Sequence, residues 1–290
     1  MTTTEYEISY HTHNVYESPV TEALFAFLVS PCQDSSQAVR NLSFRNSLGE
    51  EIFKHQNPFG FEIQCVRSAK RFTDFGFWMK ATVDKKWPSY LQETKLSVAE
   101  EQALLLSRDF FIDYHVYLGG GTYTTIDANL NDRVMKRPAE QPIYEFLQEL
   151  NQHVYHLLEF DPEPTHVHTT VSEVMGLGRG VCQDYTHLFI AVARQNRIPC
   201  RYVSGYLNQG GSLVGSAQMH AWAEAYVPGY GWQGFDPTNN LLADINHIKT
   251  AHGTDYSDCS PLKGMLKTSG GHKTTYGVKV IQNQQAQESQ

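Results

Sequence analysis

A thiol, an imidazole and a carboxylate follow one another at Cys182, His220 and Asp236, the residue types of a nucleophile, a base and an orienting group. The thiol lies in the run Gly178-Arg179-Gly180-Val181-Cys182-Gln183-Asp184-Tyr185-Thr186-His187-Leu188. The two glycines allow a sharp turn, and Tyr185, Leu188, Phe189 and Val192 then recur at i, i+3, i+4 and i+7. That spacing predicts a helix with Cys182 in its first turn, where unpaired N–H groups and the helix dipole favour a thiolate. The same run would also fit a small buried hydrophobe, the commoner state of a free cysteine.

The partners are read from a hairpin. Met219 to Val227 alternates between large or polar side chains and small ones, which predicts a strand with His220, Trp222, Glu224 and Tyr226 on one face and alanines on the other. Pro228-Gly229-Tyr230-Gly231 is a turn signal, and Trp232 to Asp236 returns as a strand that Pro237 ends. Closure about Pro228 would set His220 opposite Asp236, while a closure one or two residues away would leave them diagonal. With 13 histidines in the chain, a half-buried surface pair is the competing reading.

Other residues carry weaker signals. His153 and His156 have helical ligand spacing, with His166 and His168 further on, yet no carboxylate or cysteine completes a set, so no metal is expected. His187 lies about 140° around the helix from Cys182, which suits a structural hydrogen bond better than catalysis. Asp184 suits the first-turn N–H groups. Trp222 and Trp232 fit either the walls of an acyl-binding cleft or plain core. The run from Gly176 to Gly180 lacks a phosphate-loop lysine, so no nucleotide cofactor is expected.

Taken together, Gly180-Val-Cys-Gln-Asp-Tyr-Thr-His-Leu188, Ile198-Pro-Cys-Arg-Tyr-Val-Ser-Gly-Tyr206, His220-Ala-Trp-Ala-Glu-Ala-Tyr226 and Gly231-Trp-Gln-Gly-Phe-Asp-Pro-Thr-Asn239 resemble the bacterial transglutaminase-like superfamily. Members of this kind are often described as cysteine proteases. Gly253 to Gly264 is similar to a segment that follows the family's core, and Tyr6 to about Trp87 resembles, loosely, its preceding β-rich region. The resemblance implies an α+β, papain-like core, with Cys182 as nucleophile, His220 as general base and acid, and Asp236 as orienter. It further implies a peptide or protein amide as substrate. Hydrolysis is the expected outcome, with transamidation as the alternative and a non-catalytic binding module as the third reading. Cys200 stands where relatives often carry a small residue, which favours packing.

The elements that must position these groups are legible in outline. Short alternating runs at 7–11, 60–66 and 75–83 predict antiparallel strands, and Leu91 to Arg108 a helix. Gly119-Gly-Gly121 and the polar run to Asp132 read as a flexible connection. Ile143, Phe146, Leu147, Leu150, Val154 and Leu157 share one helical face behind Pro142. Cys200 to Leu207 reads as a strand and Asn208 to Gly211 as a turn. The expected division is a β-rich domain over 1–125, a catalytic core over 126–282 and a polar tail over 283–290. A net charge of −8 offers nothing to nucleic acid or anionic lipid, and no apolar run suits a membrane span. Five cysteines without paired spacing, and a start lacking an apolar leader, fit a reducing cytoplasm.

Overall fold

The computed structural model describes residues 3–87, 96–208 and 218–283. Period-two alternation builds the first strand, β1 (Thr3–Val20), which buries Tyr6, Ile8, Tyr10, Thr12, Asn14 and Tyr16 and exposes Glu7, His11 and His13. It is followed by β2 (Glu22–Phe27), β3 (Gln37–Asn46), β4 (Ile52–Gln56), β5 (Glu62–Ser68) and β6 (Phe72–Lys86). Two helices, α1 (Val98–Leu106) and α2 (Arg108–Tyr114), start at Ser97 and Ser107, whose side chains accept N–H bonds from the first turn. Then come α3 (Ile143–Leu157), β7 (Glu159–Phe160), α4 (Val171–Leu177), β8 (Arg179–Gly180) and α5 (Cys182–Gln195). The chain continues through β9 (Cys200–Leu207), β10 (His220–Val227), β11 (Gly231–Asp236), β12 (Leu241–Leu242), β13 (His247–Gly253) and α6 (Tyr256–Cys259). It closes with β14 (Leu262–Lys267) and β15 (His272–Asn283).

Two four-stranded sheets, ordered β15-β1-β6-β3 and β14-β2-β5-β4, share an apolar cluster in which Phe25 stacks on Phe75 at 4.0 Å and Phe27 on Phe77 at 3.8 Å. The core sheet is five-stranded and antiparallel, ordered β12-β11-β10-β9-β13. Ala221, Ala223 and Ala225 of β10 give α5 a flat bed in a cluster shared with α3 and α4. Tyr206 and Ile248 of the same sheet join the aromatic cluster of the N-terminal strands. The protein is thus α+β, with its core sheet lying between helices and a β-sandwich.

Several expectations change. Strands β14 and β15, expected with the core, pair with β2 and β1, so the β-sandwich takes strands from both ends of the chain. Helices α1 and α2, expected with the N-terminal region, pack into the core cluster through Leu105 and Phe110. The expected helix over 91–108 is broken at Ser107, and its first residues lie outside the described ones. Leu157 is exposed, although the other five residues of the expected apolar face of α3 are buried. The segment after Gly119 is pinned rather than free: Arg194 donates to Gly119 O at 2.8 Å, and Gly121 N–H donates to the Thr124 hydroxyl at 2.8 Å. Its polar run forms a 3-10 helix over Ala128–Arg133. The turn expected at 208–211 and the tail at 283–290 lie mostly outside the described residues, and Asn283 ends β15.

Candidate active site

The start of α5 is clamped before the thiol is reached. Asp184 accepts the Val181 N–H at 2.8 Å and the Thr165 hydroxyl at 2.8 Å, which ties the N-cap to the loop before α4. A Cβ on Gly180 would collide with that same carboxylate, so glycine is required there. Tyr185 donates to Leu158 O at 2.7 Å, fixing the helix to the end of α3. Burial of α5 is more complete than its apolar stripe predicts, because Thr186, His187 and Arg194 are buried as well. Cys182 is its first residue and stays partly exposed.

His187 accepts the Tyr256 N–H at 3.2 Å and stacks on Tyr123, and burial drives its pKa down to about 3. It is held neutral, away from the reacting groups.

His220 opens β10 and Asp236 closes β11. The hairpin pairs Val227 with Gly231 and Ala223 with Phe235, so it closes on Gly229, at φ +82°, and not on Pro228. This shift leaves His220 and Asp236 diagonal. His220 Nε2 nevertheless lies 2.8 Å from Asp236 Oδ2, and both side chains are wholly buried.

Asp236 is surrounded by donors. Its Oδ1 accepts the Thr238 and Asn239 N–H groups at 3.1 and 3.3 Å. Its Oδ2 takes His220 Nε2, the Asn239 amide at 2.8 Å and His247 Nε2 at 3.2 Å. Burial alone would raise this carboxyl's pKa, but the charge and hydrogen bond of His220, helped by His247, hold it far below the usual range. Burial likewise opposes charge on His220, and Asp236 together with Cys182 reverses that, so the ring stays protonated above its ordinary pKa. Its Nδ1 is buried and has no other hydrogen-bond partner among the described residues, so with Nε2 taken by Asp236 it is the nitrogen left for Cys182.

Sequence reasoning missed His247 and Asn239. Asn239 had a signal, since an aspartate accepting N–H bonds two and three residues on is an Asx turn. His247 had none, because its place depends on β13 pairing with β9. The Asp244 N–H donates to His247 Nδ1 at 3.0 Å, which directs the ring's other nitrogen, as N–H, to Asp236. Asp244 Oδ1 lies 3.1 Å from the same Nδ1, but a backbone N–H cannot swivel away.

His220, Asp236 and His247 offer ligand-type atoms within 4.8 Å of one another. An ion there would have to displace the three N–H bonds on Oδ2, so the donor set fits a hydrogen-bonded carboxylate better than a metal. His153, His156, His166 and His168 form no such group among the described residues.

Neither tryptophan walls the thiol's cavity. Trp222 packs against His247 at 5.2 Å, and Trp232 lies under the Arg201 guanidinium at 4.0 Å. Trp232 lines a separate cavity of about 880 Å³ that holds none of Cys182, His220 and Asp236. Arg201 and Lys249 bridge Glu224 there at 2.6 and 2.7 Å. Cys182 and His220 share a second cavity, of about 490 Å³.

Burial disfavours the thiolate at the other four cysteines. It pushes Cys32 and Cys200 up to about 12, raises Cys65 and holds Cys259 well above its ordinary value. At pH 7, Cys182 is expected to react with iodoacetamide at least ~10-fold faster than any of them. Peptide mapping of the folded protein checks this, and equal or slower labelling of Cys182 would count against a nucleophilic role.

Residues 129–237 match the family model of the transglutaminase-like superfamily. Uncharacterised proteins of Mycobacterium tuberculosis and Mycobacterium bovis are each 34% identical over 165 residues, 51% of this chain and 52% of theirs. One from Mycobacterium leprae is 39% identical over 117 residues, 39% of this chain and 41% of its own. The chain therefore spans about half the length of these relatives. A solved structure described as a "putative cysteine protease" from Cytophaga hutchinsonii covers 99% of this chain and 93% of its own, with a TM-score of 0.75 and 21% identity. The two share a fold.

Proposed function

Starting from a transglutaminase-like core over residues 129–237, we propose that this protein is a thiol enzyme that takes an acyl group from an amide onto Cys182 and releases it to water, as a cysteine peptidase or amidase does. The observation that supports this most is the buried His220 ring, bonded through one nitrogen to an ionised carboxylate and left with the other for the thiol.

The residues divide the work as follows. With the thiol proton held on His220 Nδ1, the Cys182 sulfur attacks the amide carbon, and the carbonyl electrons move onto oxygen. That oxyanion lies at the N-terminus of α5, where the Cys182 N–H can donate to it. Collapse breaks the C–N bond while His220 Nδ1 gives its proton to the leaving amine, and the acyl group remains as a thioester. Water then attacks with His220 as base, the C–S bond breaks, and the thiol is restored. Throughout, Asp236 holds Nε2–H and balances the imidazolium, while His247 and Asn239 hold Asp236. An amine acceptor would need a site that binds it and limits hydrolysis, and no observation favours one, so water is the acceptor of choice.

The test is incubation with a peptide library and a labelled primary amine, read by mass spectrometry. Cleaved or deamidated peptides without amine incorporation are expected. Labelled adducts as the dominant product would replace hydrolysis with transamidation, and no product from any peptide would reject both.

A further inference from the structure

The cavity that holds Cys182 has a second wall that the core does not supply. It comes from the inner face of β1 and β15, where Tyr10, Thr12, Asn14 and Tyr16 alternate along one strand and His272, Thr274 and Tyr276 along the other. Thr12 and Asn14 interrupt a face that is otherwise aromatic and aliphatic, opposite Phe77 and Phe75 of β6. The Thr12 hydroxyl donates to Thr275 O at 3.3 Å. Asn14 Oδ1 accepts the Thr274 hydroxyl at 2.7 Å, which turns the amide so that Nδ2 is the free end. Among the described residues that Nδ2 has no partner, although Asn14 is only 3% exposed. A buried donor without an acceptor is costly to keep, and at the wall of a cleft it marks where an acceptor belongs.

The lining has a second property. Among the described residues it contains no Asp, Glu, Lys or Arg, and of its two histidines His220 is already paired with Asp236, so a charged substrate group would lose its water for little in return. Phe25, Leu262 and Leu266 instead offer apolar surface.

We propose that this sheet face is the specificity wall of the cleft, where Asn14 donates to a backbone carbonyl of a peptide whose residue beside the scissile amide is aromatic or aliphatic. The inference rests on the proposed nucleophile and adds the substrate class.

The test uses blocked peptidyl acyloxymethyl ketones that differ only in carrying Phe, Leu, Asp or Lys next to the reactive ketone. The Cys182 sulfur displaces their carboxylate, so an S–C bond forms as a C–O bond breaks, and intact-mass spectra follow labelling without any turnover. The Phe and Leu probes are expected to label at least ~10-fold faster than the Asp and Lys probes. Asn14→Asp keeps the acceptor for Thr274 but replaces the donor with an acid. It should lower the Phe rate relative to the Lys rate by about 10-fold or more, while the iodoacetamide rate stays within about 2-fold. Equal labelling by all four probes, or an unchanged Phe-to-Lys ratio in Asn14→Asp, would overturn the wall assignment alone if iodoacetamide still singles out Cys182. If iodoacetamide does not single out Cys182, the nucleophile reading fails and takes this one with it.

Discussion

Cys182→Ala is expected to abolish the proposed amide turnover, by roughly a million-fold in kcat, while the melting temperature moves by no more than about 2–4 °C. The asymmetry follows from position. The sulfur is the atom that bonds to substrate in the proposed mechanism, and nothing else at the N-terminus of α5 can take its place. As a packing element it contributes little, because Cys182 is partly exposed and α5 is held by Asp184, Tyr185 and the alanines of β10. Alanine is also a good residue for a helix start. Turnover measured beside thermal melting decides the matter, and full activity in Cys182→Ala would mean the chemistry lies elsewhere.

Asp236→Asn is expected to cost both activity and stability, which the sequence alone would not suggest. From sequence, asparagine looks mild, since it can hold an imidazole without a charge. The structure argues otherwise, because both carboxylate oxygens accept N–H groups. Whichever way the asparagine amide turns, its NH₂ meets donors. We expect kcat to fall roughly 10²–10⁴-fold and stability to drop by about 2–4 kcal/mol. The pH signs follow from the directions of the shifts. A depressed Asp236 pKa means that its stabilising contribution is complete above about pH 4 and is lost only as pH falls through the lowered value. The variant should therefore be the less stable protein at neutral pH, with the gap closing only in strong acid. His220 is raised partly by this carboxylate, so its loss should move the alkaline limb of activity downward. A variant with normal melting and an unmoved alkaline limb would exclude Asp236 as the orienting group.

What the sequence disclosed is what local pattern can carry. The helix at Cys182 was visible in its glycines and apolar spacing, and the strand at His220 in its alternation. The turn was visible too, but not its closing residue, because Pro228 and Gly229 sit side by side and only the left-handed backbone at Gly229 decides between them. His247 and Asn14 were invisible for a different reason. Each acquires its surroundings from a strand pairing, β13 on β9 and β1 on β15, that local periodicity does not specify. Asn14 in particular reads as one polar residue in a long alternating strand until Thr274, 260 positions away, becomes its partner. Helix α5 was underestimated for the same cause, since His187 and Arg194 are buried only because Tyr123, Tyr256 and the Gly119 segment close over them.

The return of β14 and β15 to the opening strands has a thermodynamic consequence of its own. Everything from α1 to α6 is threaded between Lys86 and Leu262, which both belong to the β-sandwich. If that inserted portion melted while the sandwich stayed intact, the sandwich would be left closing a loop of well over a hundred residues. Such closure costs on the order of 4–5 kcal/mol in chain entropy, in addition to the packing between the two parts. The folded insert spares the sandwich that cost by fixing the separation of its two attachment points. Host and guest thus stabilise one another through the disorder each would impose on the other, and a single cut between β6 and α1 would relax this tie without separating the pieces.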